Sequence, residues 1–153
     1  MPQPRHTARR NRMQARARIA GIPVHQILIV FPLGLLATSF FFDLAYAVTG
    51  GAQLGIVASW MIFAGVLGGA VAALFGMIDY SAIPRGSRAR RIGALHGVTN
   101  LIVALLFAAS WLLRRDAPEH PEALEIVLSG CGVLLTVITG WLGSELADRM
   151  EEL

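Results

Sequence analysis

Two histidines lie at the start of long apolar stretches of this chain, where an imidazole could bind a metal. His25 opens the stretch 21–48 (GIPVHQILIVFPLGLLATSFFFDLAYAV), and His96 opens a later one. Asp79 closes the apolar run between them, and Glu145 closes the last run. If the runs form antiparallel helices, these four side chains come together at one end of a bundle.

The first interpretation of this cluster is a haem site. Two neutral imidazoles on facing helices can ligate one iron through both axial positions, which gives a low-spin haem suited to electron transfer. His25 and His96 would be the axial ligands. Arg88, Arg90 and Arg91 lie just before the second histidine and could pair with the haem propionates.

Two other interpretations stay open. His25, His96, Asp79 and Glu145 offer nitrogen and oxygen ligands that suit zinc or iron, although their spacing matches no metal motif. Alternatively, the histidines only hydrogen-bond to the carboxylates and fix the helix ends. Asn100, one turn beyond His96, would belong to the same cluster in each case.

A second polar group is expected at the opposite end. Asp43 follows His25 by 18 residues, which is five helical turns and roughly 27 Å, so both should share one helix face. Glu125 lies at a similar depth, and Arg114 is available as an ionic partner. A structural ion pair is the favoured role, with a proton or quinone site as the alternative.

The composition indicates an integral membrane protein. The 153 residues are 55% hydrophobic and 15% charged, with a mean hydropathy of +0.60. All 13 basic residues are arginine, and the net charge of +3 fits loops that face anionic lipid without requiring nucleic acid. The single cysteine, Cys131, excludes an internal disulfide, and we expect it to be a small buried packing residue.

The pattern predicts an all-α fold, an integral membrane bundle of four transmembrane helices. The expected domains are a basic cytoplasmic arm (1–20), the four-helix domain (21–147) and a short acidic tail (148–153). Eleven arginines lie on one side against two on the other, so the positive-inside rule places both termini in the cytoplasm. The predicted helices are about Pro23–Val48, Leu54–Tyr80, Ile92–Leu113 and Glu122–Ala147.

Small residues in the second helix predict a close approach by a neighbouring helix. They form two rows, Gly65, Gly69 and Ala73, and Gly68, Ala72 and Gly76. The same rows would also leave room for a flat cofactor. No internal repeat is evident in the sequence.

Several segments together resemble the bacterial membrane protein family called domain of unknown function 2231. They are GIPVHQILIVFPLG with FFFDL, GMIDYSAIP followed by an arginine-rich loop and ALHGVTN, and the closing GWLGSEL. Gln26 departs from the family, in which a proline often follows the histidine. The positions that match the family motifs are His25, Phe31, Pro32, Asp43, Asp79, His96, Asn100 and Glu145.

The resemblance implies a role in membrane electron transfer, because related domains are fused to cytochrome c-like or Rieske iron–sulfur domains. This chain has no C-x-x-C-H motif, and one cysteine cannot build a Rieske centre. We therefore expect a subunit of the bacterial inner membrane that binds haem b and has no catalytic activity of its own. Expected partners are the lipid bilayer and a redox protein or further copies of the chain, without nucleic acid. The alternatives are a membrane scaffold or anchor and a small metal or proton transporter.

Overall fold

Four long helices form the protein in a computed structural model, which describes residues 18, 19 and 22–151. A short antiparallel strand pair precedes the helices, with Arg18 opposite Pro23 and Ile19 opposite Ile22. Most of the predicted basic arm and the last two residues of the acidic tail lie outside the described residues. The elements are β1 (Arg18–Ile19), β2 (Ile22–Pro23), α1 (Val24–Thr49), α2 (Ala52–Ser81), α3 (Arg88–Arg114) and α4 (Ala123–Glu151).

All four helices are long and apolar enough to span a membrane, as expected for a multi-pass membrane protein. Their outer surfaces carry large exposed apolar side chains, among them Val30, Leu67, Leu101 and Leu134. In water such surfaces would be unfavourable, whereas in lipid they are the normal exterior. The predicted all-α, four-helix membrane bundle is therefore confirmed.

The third helix begins at Arg88, earlier than the predicted start at Ile92. Ser87 caps it, because its Oγ accepts a hydrogen bond from the backbone N–H of Arg90 at 3.1 Å. Arg88, Arg90 and Arg91 therefore lie at the start of α3 rather than in a loop. Hydropathy does not show this boundary, because the residues that follow the serine cap are mostly charged.

The helices follow one another around the bundle in chain order. α1 packs mainly on α2 and α3 packs mainly on α4, while α2 also contacts α3 and α1 also contacts α4. α1 continues as one helix through Pro32, which is buried. The end that contains His25 and His96 is called the histidine end below, and the end that contains Asp43 and Arg114 is called the ion-pair end.

Glycines allow the close packing within each helical hairpin. A Cβ added at Gly65 of α2 would lie 2.7 Å from the Leu36 side chain of α1. A Cβ added at Gly132 of α4 would lie 2.6 Å from the Phe107 ring of α3. Both distances are too short for real carbon atoms, so only glycine permits these helix separations.

These two contacts are equivalent, and they show that the two hairpins are built alike. Leu36 and Phe107 are 71 positions apart, and Gly65 and Gly132 are 67 positions apart. The same separation of 71 relates three further pairs of inward-facing residues on α1 and α3, namely His25 and His96, Ser39 and Ser110, and Asp43 and Arg114. The expectation of no internal repeat therefore needs correction. The repeat is recognised from the matching helix contacts. The sequence does not show it, because few of the equivalent positions carry the same residue.

Cys131 is a second correction. Its side chain is exposed on α4 rather than buried. The inward face of α4 is formed by other positions, among them Glu125, Ser129 and Thr139, which are all buried. An apolar, glycine-rich run does not by itself show which face of a membrane helix meets protein, because the lipid-facing side is equally apolar.

Candidate functional site

His25 is fixed against α2 by a hydrogen bond to the backbone. Its Nδ1 lies 2.8 Å from the carbonyl oxygen of Ala72, and a carbonyl can only accept, so Nδ1 carries the proton. The ring covers Gly76, where an added Cβ would lie 3.2 Å from both Cε1 and Nδ1. Nε2, the other ring nitrogen, has no hydrogen-bond partner among the described residues.

His96 makes the same contacts with α4. Its Nδ1 donates to the carbonyl oxygen of Thr139 at 3.0 Å, and its Cε1 lies 3.1 Å from the position of a Cβ on Gly143. In both hairpins the acceptor carbonyl precedes the covered glycine by four residues. The same pair of contacts, with a backbone carbonyl and with a glycine, therefore holds His25 on the inward face of α1 and His96 on the inward face of α3.

Asn100 distinguishes the two histidines. Its Nδ2 lies 3.0 Å from Nε2 of His96 and also 3.0 Å from the backbone oxygen of His96. Both neighbours are acceptors, so the amide donates to both and occupies the Nε2 lone pair of His96. The equivalent position in α1 is Ile29, which cannot donate a hydrogen bond.

Among the described residues, the carboxylates predicted beside the two imidazoles do not join them in a metal-binding group. Glu145 forms an ion pair with Arg149 of its own helix at 3.0 Å. Within the described part of the chain, no group of three or more His, Cys, Asp and Glu side chains could hold a metal ion. The predicted four-residue metal site, which included Asp79, is therefore not assembled.

The three arginines near His96 have separate surroundings. Arg90 packs its guanidinium over the Tyr80 ring, 4.5 Å from the ring centre, and donates to the Ile83 carbonyl at 2.8 Å. Arg88 and Arg91 line an outward groove that neither histidine lines. Their pairing with haem propionates stays a prediction.

At the ion-pair end, Arg114 of α3 and Asp43 of α1 form a buried two-pronged ion pair. The Nη1–Oδ1 distance is 2.6 Å and the Nη2–Oδ2 distance is 3.1 Å, with both side chains fully buried. Ser129 donates to Asp43 at 2.8 Å, and Arg114 donates to Ser110 at 2.8 Å. The pair thus connects three of the four helices.

Glu125 supports this end through the backbone rather than through the ion pair. Its carboxylate accepts a hydrogen bond from the N–H of Glu122 at 2.7 Å, before the start of α4. Its backbone oxygen accepts a hydrogen bond from Ser110 at 2.7 Å. The sequence placed Asp43, Arg114 and Glu125 at one end, but nothing in it singled out the two serines.

Apolar side chains separate the two polar ends. Ile62, Val103 and Phe107 form the core between them, and Leu36 and Val66 pack against this core. A continuous polar path along the bundle axis would have to pass this layer.

The fold, with a buried ion pair at one end and partly buried histidines at the other, defines a multi-pass four-helix membrane protein with a repeated helical hairpin. The chain belongs to the predicted membrane protein family DUF2231, whose model matches residues 21–151. A search of curated proteins and a search of solved structures each gave no match.

Proposed function

We propose that this protein is a membrane electron-transfer subunit that binds a b-type haem between α1 and α3, with His25 and His96 as axial ligands. A bound haem would carry one electron by cycling between ferric and ferrous iron. The proposal also places the protein in a bacterial inner membrane with both termini in the cytoplasm, in keeping with the arginine-rich histidine end.

The observation that supports this proposal is the hydrogen bonding of the two imidazoles. Metal-ligating histidines almost always donate their second ring N–H to a carbonyl, a carboxylate or water, which fixes the tautomer and the ring orientation. His25 and His96 both donate Nδ1–H to a backbone carbonyl of the neighbouring helix. Nε2 is then the nitrogen that can ligate iron.

The Nε2 atoms of the two histidines are not equally accessible to an iron ion. Nε2 of His25 has no hydrogen-bond partner among the described residues, whereas Nε2 of His96 accepts from Asn100. The Asn100 amide would have to turn away before His96 could ligate. Because an amide side chain turns about two single bonds, this requires no movement of the helix backbone.

A membrane scaffold is the second candidate, and the Asn100 contact favours it. Hydrogen bonds between helices contribute about 0.6 kcal/mol each on average in a membrane. In a scaffold, the histidines would only join α1 to α2 and α3 to α4. The apolar core of Ile62, Val103 and Phe107 between the two ends offers no support to a transporter.

The test is an absorption spectrum of detergent-purified protein from cells supplied with haem, first oxidised and then reduced with dithionite. We expect a Soret band and sharp α and β bands in the reduced protein. The His25→Ala and His96→Ala variants should each lose the low-spin spectrum. His120→Ala is the matched control, since His120 is exposed in the loop between α3 and α4, and it should leave the spectrum unchanged.

A spectrum without haem bands would refute the haem proposal. The scaffold candidate would then predict that His25→Ala and His96→Ala lower the stability of the fold while His120→Ala does not. Thermal unfolding followed by circular dichroism distinguishes these variants.

A further inference from the structure

The outer face of α3 carries a groove of about 410 Å³ at the histidine end. Its walls are formed by Arg88, Arg91, Ile92 and Leu95. Positions spaced by three and four residues share one helix face, so these side chains form a single stripe along α3. The stripe begins with two cations and continues with two aliphatic side chains.

The two guanidiniums of this stripe are available to a ligand. Arg88 and Arg91 are exposed, and their guanidinium groups make no hydrogen bond or ion pair with any residue that the structure describes. Arg90 is different, because it is bound to Tyr80 and to the Ile83 carbonyl. The helix therefore uses one arginine for its own structure and directs two outward.

We propose that this groove binds one anionic phospholipid. The phosphate would lie between the guanidiniums of Arg88 and Arg91, since guanidinium groups pair well with phosphate oxygens. An acyl chain would lie along Ile92 and Leu95, further into the membrane.

Two features favour a lipid over free phosphate. The apolar half of the groove adds nothing for an inorganic anion, whereas it continues the charged half as an acyl chain continues a headgroup. Leu95 is 55% exposed, and Val98 one turn further is also 55% exposed. The stripe thus runs without a break onto the lipid-facing surface of the helix.

The experiment titrates the full-length protein in a neutral detergent with phosphatidylglycerol and counts bound lipids by native mass spectrometry. Phosphatidylcholine with the same acyl chains and glycerol 3-phosphate are titrated in parallel. An arginine near the membrane surface contributes about fivefold to the binding of anionic lipid, so Arg88→Gln/Arg91→Gln should weaken phosphatidylglycerol binding about 30-fold.

Arg85→Gln is the matched control, because it removes the same charge from an exposed position outside the groove. It should leave the affinity within about twofold of the unchanged protein, since an exposed charge at a distance is screened. Wild-type protein should bind phosphatidylglycerol more tightly than either phosphatidylcholine or glycerol 3-phosphate.

Three results would overturn the proposal. The first is equal affinity for the two phospholipids, and the second is glycerol 3-phosphate binding as tight as that of the lipid. The third is an equal loss of affinity in Arg85→Gln and in the double variant, which would show attraction by total charge alone. Circular dichroism of the variants checks that the exposed substitutions leave the fold intact.

Discussion

Removing one partner of the buried ion pair is the sharpest test of the fold. Asp43→Asn keeps the shape of the side chain but leaves the Arg114 cation without its counter-ion in a fully buried position. Breaking a buried pair in this way costs about 3–5 kcal/mol, because the remaining charge is neither paired nor solvated. Arg114→Met should cost a similar amount, since it strands the Asp43 carboxylate.

Removing both charges should cost much less. In Asp43→Leu/Arg114→Met, Ser110 keeps its hydrogen bond to the Glu125 carbonyl at 2.7 Å, and Ser129 keeps its bond to the Ile126 carbonyl at 3.0 Å. The neighbouring hydroxyls therefore stay satisfied, and replacing a buried ion pair by apolar groups is often neutral. We expect the double variant to lose less than about 2 kcal/mol.

The assay is unfolding in mixed dodecyl maltoside and sodium dodecyl sulfate micelles, followed by circular dichroism. The coupling energy is the double-variant loss minus the two single losses. A single-variant loss below about 1 kcal/mol, or additive losses, would refute the buried pair and place water between the two groups.

The repeat also predicts the effect of exchanging the two residues of the ion pair. In Asp43→Arg/Arg114→Asp the new arginine stands four residues after Ser39, as Arg114 stands four residues after Ser110. The new aspartate would lose its serine donor, because Ile62 is the equivalent of Ser129. We expect the swap to lose about 1–2 kcal/mol, mainly this hydrogen bond, and to be more stable than either single reversal. A swap as unstable as the single reversals would contradict the equivalence of the hairpins.

Two predictions concern single side chains. Gly132→Ala places a Cβ 2.6 Å from the buried Phe107 ring and should lower the free energy of unfolding by about 1–3 kcal/mol. Gly140→Ala is the control, because its Cβ would meet nothing within 4 Å, and it should be neutral or stabilising by up to about 1 kcal/mol. Thermal unfolding compares the two variants. Asn100→Leu removes the donor to Nε2 of His96 and should lower stability by about 0.6 kcal/mol. If the haem proposal holds, the same change should raise haem affinity in a spectroscopic titration, and an unchanged affinity would show that Asn100 does not compete with iron.

The sequence was sufficient to predict the helices, because the membrane imposes a length and a polarity that hydropathy reports directly. The predicted and observed helices agree closely, with two exceptions: the Ser87 cap starts α3 one turn earlier, and α4 continues to Glu151, one turn beyond the predicted end at Ala147. Spacing along one helix was equally informative. The five turns between His25 and Asp43 placed the two residues on the same inward face of α1.

The partners of the polar side chains could not be predicted in the same way. The histidines were expected to bind a haem iron, a metal ion or carboxylates, and in the structure their Nδ1 atoms bind the backbone carbonyls of Ala72 and Thr139. Every residue has a backbone carbonyl, so the sequence cannot show which carbonyl a histidine of the neighbouring helix will reach where it packs over a glycine. The burial of Ser110 and Ser129 beside the ion pair was not predictable either, because it depends on how α3 and α4 are rotated about their axes.

The sequence by itself therefore determined four membrane-length helices and which polar residues share each end of the bundle, because these properties depend on local polarity and helical period. Only the tertiary structure decided that the two hairpins are built alike, that Arg114 reaches Asp43, and that Asn100 makes His96 unlike His25. Those features depend on the rotation of each helix about its own axis, which is set by contacts between distant residues.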